Sequence, residues 1–300
     1  MTYADVIWEH IEKGLDLVIL SAENRAPIRS IQDKLGARLI DTGIAEQSMC
    51  GMAAGLALAG KRPVIHGLAT FLTMRSFEFI RTDIGIPNLP VKIVGSITGV
   101  LSEANGPTHQ ALEDISLMRG IPNMKVFAPA DEQDLVLGLP AILADNSPWY
   151  IRYINFPSVI AEHQPFEIGK CEQVIKGDEI LVLTYGALFR ECYGAVNKMR
   201  EQGIHAGLVN VRTLKPLDKD ILKLISKAKL TVTVEDHFLT GGLFSALSEM
   251  MVMNSVSAKV VPIAFDEKWF KSALLNDVLE YEKLNADSLV ERILAIKKSV

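Results

Sequence analysis

Cysteine is scarce in these 300 residues: Cys50, Cys171 and Cys192 are isolated and odd in number. They form no CxxC pair and no disulfide framework, which points to a reducing compartment, the cytoplasm. Long hydrophobic runs are missing as well. The most apolar stretch, 48–60, is interrupted by Gly51, Gly55 and Gly60 and runs into Lys61-Arg62, so no membrane span is expected. Met1 to Asp5 shows no basic region leading into an apolar core, so no secretory signal is expected. Positive charge is not in excess. The net charge is −5, which gives no electrostatic footing for nucleic acid. Low-complexity segments and short repeats are also lacking. With 49% hydrophobic and 22% charged residues, the chain reads as globular, and its length allows two ordinary domains.

What is present is an alternation of short β-rich runs with longer helical ones. Leu17 to Leu20, Val64 to Gly67, Val91 to Gly95, Lys125 to Pro129 and Tyr150 to Tyr153 read as strands. An amphipathic helix is expected over Met74 to Thr82, and another from near Asp131, with acidic residues in its first turn. A second alternation follows Gly177-Asp178, with strands at Ile180 to Thr184, Ala206 to Asn210, Leu230 to Val234 and Val260 to Ile263. Continuous apolar strands between helices indicate parallel sheets covered on both faces. The stretch from Phe156 to Lys176 holds two prolines and no helical period. The expected layout is an α/β chain of two domains, 1–157 and 177–300, joined by a linker over 158–176. Each domain is a mostly parallel sheet flanked by helices.

Two stretches carry chemistry. Asp41-Thr42-Gly43-Ile44-Ala45-Glu46-Gln47 places one carboxylate where an extended segment turns into the apolar helix of residues 48–59. A carboxylate at such a low-dielectric edge is expected to have a raised pKa and to suit sharing a proton with a buried basic nitrogen. Glu46 also suits a helix N-terminus for purely electrostatic reasons. Gly106-Pro107-Thr108-His109-Gln110 is a tight turn with a histidine at its mouth. At a strand-end turn His109 is placed where sheet proteins put ligands, and a surface capping role is the plainer alternative. Phe71 beside a strand reads equally as core, with Phe77 as a competitor. Arg152 at a strand end reads either as an anion contact or as the partner of an acidic neighbour. His237 reads as a structural or interface residue capping the helix entry at Gly241-Gly242.

In order and spacing these residues resemble the transketolase family of thiamine-diphosphate enzymes, over nearly the whole chain. Val209 to Leu217 and Val234 to Gly242 resemble that family's C-terminal domain. The resemblance implies a pyrimidine-binding domain followed by a transketolase C-terminal domain. It implies that Glu46 hydrogen-bonds N1′ of the cofactor's aminopyrimidine and that Phe71 stacks on that ring. His109 then lies near both aminopyrimidine and substrate, Arg152 contacts a substrate phosphate, and Asn105 stands where the family has an aspartate contacting a substrate hydroxyl. Glu46 and His109 are the catalytic residues on this reading.

The family's Gly-Asp-Gly motif with its later Asn, which holds the metal and diphosphate, does not occur; Gly177-Asp178-Glu179 lacks the second glycine. No metal ligand is therefore expected on this chain. Mg²⁺ and the diphosphate fall to a second, N-terminal-type subunit, and the resemblance implies the small subunit of a split transketolase, active only in an α₂β₂ heterotetramer. Ala104 and Asn105 stand where sugar-phosphate enzymes have Glu-Asp. Ile97 takes the place of a phosphate-contacting histidine, and Pro27-Ile28 falls near that of a phosphate-binding serine. An apolar side chain cannot satisfy a phosphate oxygen. The expected activity is transfer of a two-carbon ketol unit between sugars or sugar phosphates, with poor use of ordinary pentose phosphates and preference for a specialised sugar. A β subunit of a 2-oxo-acid dehydrogenase and a non-catalytic scaffold half are the alternatives.

Overall fold

The structure, a computed structural model, describes residues 1–102, 105–265 and 268–299. The first half runs through β1 (Leu17–Ser21), β2 (Leu39–Asp41), β3 (Arg62–Leu68), β4 (Lys92–Ser96), β5 (Lys125–Phe127) and β6 (Trp149–Arg152). The second runs through β7 (Glu172–Ile175), β8 (Ile180–Thr184), β9 (Ala206–Asn210), β10 (Thr213–Lys215), β11 (Leu230–Phe238) and β12 (Val260–Phe265). β1, β4, β8 and β9 are buried at every position, the mark of strands covered by helices on both faces. The sheets have the orders β10-β5-β6-β4-β3-β1-β2 and β12-β11-β8-β9-β7. All pairs are parallel except β10 with β5 and β7 with β9, so each sheet ends in one antiparallel strand.

Two of these strands differ from the sequence reading. β7 lies inside the segment 158–176 expected to be linker, and pairs with β9 from Glu172↔Asn210 onward. β10 comes from the second half but joins the first sheet, where Thr213 pairs with Phe127. Short edge strands with polar residues carry little hydrophobic pattern, so neither stood out.

From β1 the chain runs outward to β2 and then returns to β3 on the other side of β1. This reversal opens a crevice at the carboxyl ends of β1 and β3, where open α/β sheets take ligands. The helix Glu46–Leu58 follows β2 and buries Met49, Cys50, Ala53, Ala54 and Ala57 on one face. Spacings of three and four residues put these side chains in one stripe. Its other face remains apolar, with Met52 and Leu58 exposed. The expected helix over Met74 to Thr82 is instead a short helix, Phe77–Phe79, between two π-helical turns, Phe71–Arg75 and Ile80–Gly85. Such wide turns recur at functional sites.

Candidate active site

Glu46 is the first residue of its helix and is 2% exposed. No side chain caps this helix end, so the carboxylate supplies the negative charge that the free backbone N–H groups favour. Sequence reasoning placed it as an isolated acid at an apolar edge. The structure adds a cation: Arg75 Nη1 donates to Glu46 Oε2 at 2.9 Å. The same guanidinium lies over the Phe71 ring, with Cζ 4.2 Å from the centroid. The π-helical turn after β3 carries both residues, and so presents a ring and a cation to the same carboxylate.

Phe71 then meets His109 edge-on, with ring centroids 5.0 Å apart and planes at 70°. His109 ends the 3₁₀ turn Gly106–Thr108, and its Nδ1 lies 2.9 Å from the Thr108 hydroxyl. Gly99 and Ala111 close the stem of this loop, N–H to carbonyl at 3.0 and 3.1 Å. The structure thus joins Glu46, Phe71 and His109 in one continuous group, with Arg75 as the link that sequence reasoning missed. Its signal was weak, an arginine four residues beyond a candidate aromatic, legible only once the turn is known. Phe77, the competitor for Phe71, packs against the hydrophobic core instead. Asn105 is exposed at the start of the turn that ends in His109. Ala104 lies outside the described residues.

Arg152 is not part of this group. It is 2% exposed, donates through Nε to Asp114 at 2.9 Å and through Nη1 to Asp236 at 2.6 Å, and lies over the Tyr185 ring. Asp114 also accepts from the Tyr150 hydroxyl at 2.6 Å. Of the two readings of Arg152 from sequence, the structure supports pairing with acidic partners: it clasps the first domain to the second. Both sides of its guanidinium are paired with buried carboxylates, which leaves the phosphate role of Arg152 without support here. Gly99, with φ of +56°, backs this clasp, because a Cβ there would stand 2.2 Å from Asp236 Oδ2.

His237 accepts at Nε2 from the Ser116 backbone N–H at 3.3 Å and so ties the domains together. The helix entry is capped by Glu235, which accepts from Leu243 and Phe244 N–H at 2.7 and 3.1 Å. Burial pushes Glu235 up to about 7 despite those bonds, and pushes His237 down. A second buried cluster ties the linker in. His163 bridges Asp131 at 2.9 Å and Glu172 at 2.7 Å, and Arg212 stands 2.8 Å from Asp134. Burial opposes charge on His163, but the bonds to Asp131 and Glu172 outweigh it and raise the ring to about 9.

The guanidinium of Arg75 shows what fits beside Glu46: a planar N–H donor, paired with the carboxylate and stacked on an aromatic face. An aminopyrimidine is planar as well; its amino group donates, and its ring nitrogens accept, so one of them would meet a carboxyl group through a shared proton. Among the described residues no group of three or more His, Cys, Asp or Glu side chains is placed to hold a metal ion. Among the described residues no helix is long and apolar enough to cross a membrane.

Comparison with known proteins gives the following. The profile of the transketolase pyrimidine-binding domain matches residues 7–154, and that of the transketolase C-terminal domain matches residues 169–288. The 6-deoxy-6-sulfo-D-fructose transketolase subunit SqwH of Clostridium sp. (strain MSTE9) is 36% identical over 258 residues, 84% of this chain and 80% of that protein. A putative transketolase C-terminal section from Methanocaldococcus jannaschii is 33% identical over 299 residues, 97% of this chain and 94% of that one. A solved split gene transketolase, described as an inactive beta4 tetramer, superposes with a TM-score of 0.88 at 30% identity, covering 98% of this chain and 96% of that one.

Proposed function

This chain belongs to the transketolase family, and on that premise we propose how its residues divide the work with a partner. It is the pyrimidine-side subunit of a two-chain, thiamine-diphosphate-dependent transketolase. The relatives that span it nearly end to end carry transketolase names, which sets aside the 2-oxo-acid dehydrogenase reading. The observation that carries the proposal is the buried Glu46 carboxylate, reached through a planar cation that also covers Phe71. An inert scaffold has no need of that arrangement.

Glu46 would hold the aminopyrimidine of thiamine diphosphate through a proton shared between its carboxyl group and N1′, once Arg75 has moved away from Oε2. The Arg75 side chain is 41% exposed, so it can leave Glu46 without disruption of the core. Phe71 carries the ring, and His109, edge-on to Phe71, handles protons on the substrate side. Asn105 stands at the mouth of the same loop, offering an amide that both donates and accepts. Thiamine diphosphate supplies the thiazolium that serves as electron sink for a two-carbon ketol unit. Mg²⁺ and the diphosphate are held by a diphosphate-binding partner, in an α₂β₂ assembly of the cytoplasm. Ile44, Met52 and Leu58, all exposed on or beside the Glu46 helix, support a partner covering this edge. The SqwH relative acts on a sugar modified at one end, which supports a specialised substrate here. In the assembled enzyme, Glu46→Gln should abolish exchange of the C2 proton of bound cofactor while leaving assembly intact. Unchanged exchange would remove Glu46 from its role.

A further inference from the structure

The backbone that carries His109 is held from both domains. Gly106, with φ of +65°, opens the turn Gly106–Thr108, and its carbonyl accepts from the N–H groups of His109 and Gln110 at 3.0 and 3.1 Å. A Cβ on Gly106 would stand 2.4 Å from Ser272 Oγ, so a loop of the second domain backs the turn closely. Gln110 is 2% exposed and anchors the far end.

The backbone and the Phe71 contact place the imidazole but leave its protonation open. Phe71 meets the ring edge-on, with centroids 5.0 Å apart. Packing against an aromatic neighbour does not decide which nitrogen carries the hydrogen; a hydrogen bond does. Thr108 Oγ1 lies 2.9 Å from His109 Nδ1 and supplies that bond. The same oxygen lies 3.4 Å from the Asn105 backbone carbonyl, a contact in which only the threonine can donate. Bonding back to a carbonyl three residues earlier is a habit of threonine in helical turns. A hydroxyl carries one hydrogen and two lone pairs. With its hydrogen turned to Asn105, Thr108 accepts from Nδ1–H, and Nε2 keeps its lone pair. Neutral imidazole in that form takes a proton at Nε2, whereas the other form presents a donor there. The branched Cβ of threonine restricts χ1 and so keeps the hydroxyl in place.

We propose that Thr108 is a positioning residue for His109, holding the ring in its Nδ1–H form so that Nε2 accepts a proton from a substrate hydroxyl. In that step the substrate O–H bond breaks, its electron pair stays on oxygen, and the new N–H bond forms at Nε2. The hydrogen on Nδ1 stays where it is, bonded to Thr108, while the ring carries the positive charge. The proposal rests on the transketolase reading above and deepens the part that His109 has in it.

Two readouts test it. The first is the ¹⁵N spectrum of the histidine rings in the full chain at about pH 8, above the ordinary titration range of imidazole. The His109 signals are identified by their loss in His109→Gln. Nδ1 should be protonated and Nε2 bare in the parent and in Thr108→Ser. Thr108→Val keeps nearly the same shape at an exposed position and removes the hydroxyl, so the hydrogen should move toward Nε2. The second readout is turnover by the assembled two-chain enzyme. Thr108→Val should lower kcat by roughly three- to tenfold, the worth of one neutral hydrogen bond, with KM and thiamine diphosphate binding unchanged. Thr108→Ser should restore the rate. A bare Nδ1 in the parent, an unchanged ring in Thr108→Val, or equal losses in the serine and valine variants would overturn the proposal. So would an unchanged kcat, or a loss confined to KM. The expected ring form without any two-carbon transfer by the parent overturns the transketolase reading instead and leaves the ring assignment standing.

Discussion

Glu46 and Asp114 each hold an arginine at 2.9 Å, yet the two arginines live in different surroundings. The Arg75 side chain is 41% exposed and meets one carboxylate and one ring face. Arg152 is 2% exposed and has carboxylates from both domains. An arginine with open solvent on one side can leave its single carboxylate. A buried, doubly paired guanidinium cannot leave without stranding its partners. The difference teaches that residue type and strand-end position do not tell a binding site from a structural clasp. The number of partners and the access to solvent do.

The largest effect should come from the exchangeable side. Glu46→Gln in the assembled enzyme should cost about 10²–10⁴ in kcat, the usual worth of acid–base help, with a folding free energy close to that of the parent. Steady-state turnover and a denaturant titration read the two halves of that statement, and a variant that loses stability instead of rate would erase the contrast. At the junction the pattern should invert. Arg152→Met leaves Asp114 and Asp236 buried and unpaired, and should cost about 3–5 kcal/mol of stability by urea unfolding. A loss of substrate affinity with stability intact would instead return Arg152 to the substrate.

Titration sharpens the same contrast. His163 at the junction is raised to about 9 against about 6.5 for a free ring. Its folded-state pKa is the higher one, so its contribution is fully present below about pH 6.5 and is lost as pH rises through about 9. Stability measured across that window should fall, and His163→Gln should flatten the slope; an unchanged slope would mean other groups carry it. The smallest effect is expected at Arg75. Arg75→Met should cost less folding stability than Arg152→Met, because it leaves one buried carboxylate at a helix N-terminus and not two in the interior. A cost equal to that of Arg152→Met would show that the two pairs are not different in kind.

Much of this architecture was legible in the sequence because buried parallel strands write themselves as continuous apolar runs. β1, β3, β4, β8 and β9 fall where Leu17 to Leu20, Val64 to Gly67, Val91 to Gly95, Ile180 to Thr184 and Ala206 to Asn210 placed them. Glu46 was legible as a carboxylate at the mouth of its helix for the same reason, an extended segment running into an apolar one, although the helix begins at Glu46 itself, two residues before the expected Ser48. The antiparallel edges were not. β7 and β10 are short, and β10 takes its partner from the other domain. The bond from Arg75 to Glu46 spans 29 positions and depends on a π-helical turn that local propensity does not announce. The partners of Arg152 lie 38 and 84 positions away, so only the packed domains reveal that its charge is spent. His237 was read as a structural or interface residue and bonds across the domains, but the capping expected of it belongs to Glu235, two residues earlier on the same strand.

The central claim is a division of labour: this chain holds the aminopyrimidine side, and a second chain holds metal and diphosphate. The most direct measurement is binding of thiamine diphosphate with Mg²⁺, and two-carbon transfer, by this chain before and after mixing with a diphosphate-binding transketolase subunit. The account predicts weak binding and no turnover alone, with both restored in the mixture and lost again with Glu46→Gln. Tight binding and full turnover by this chain alone would contradict it.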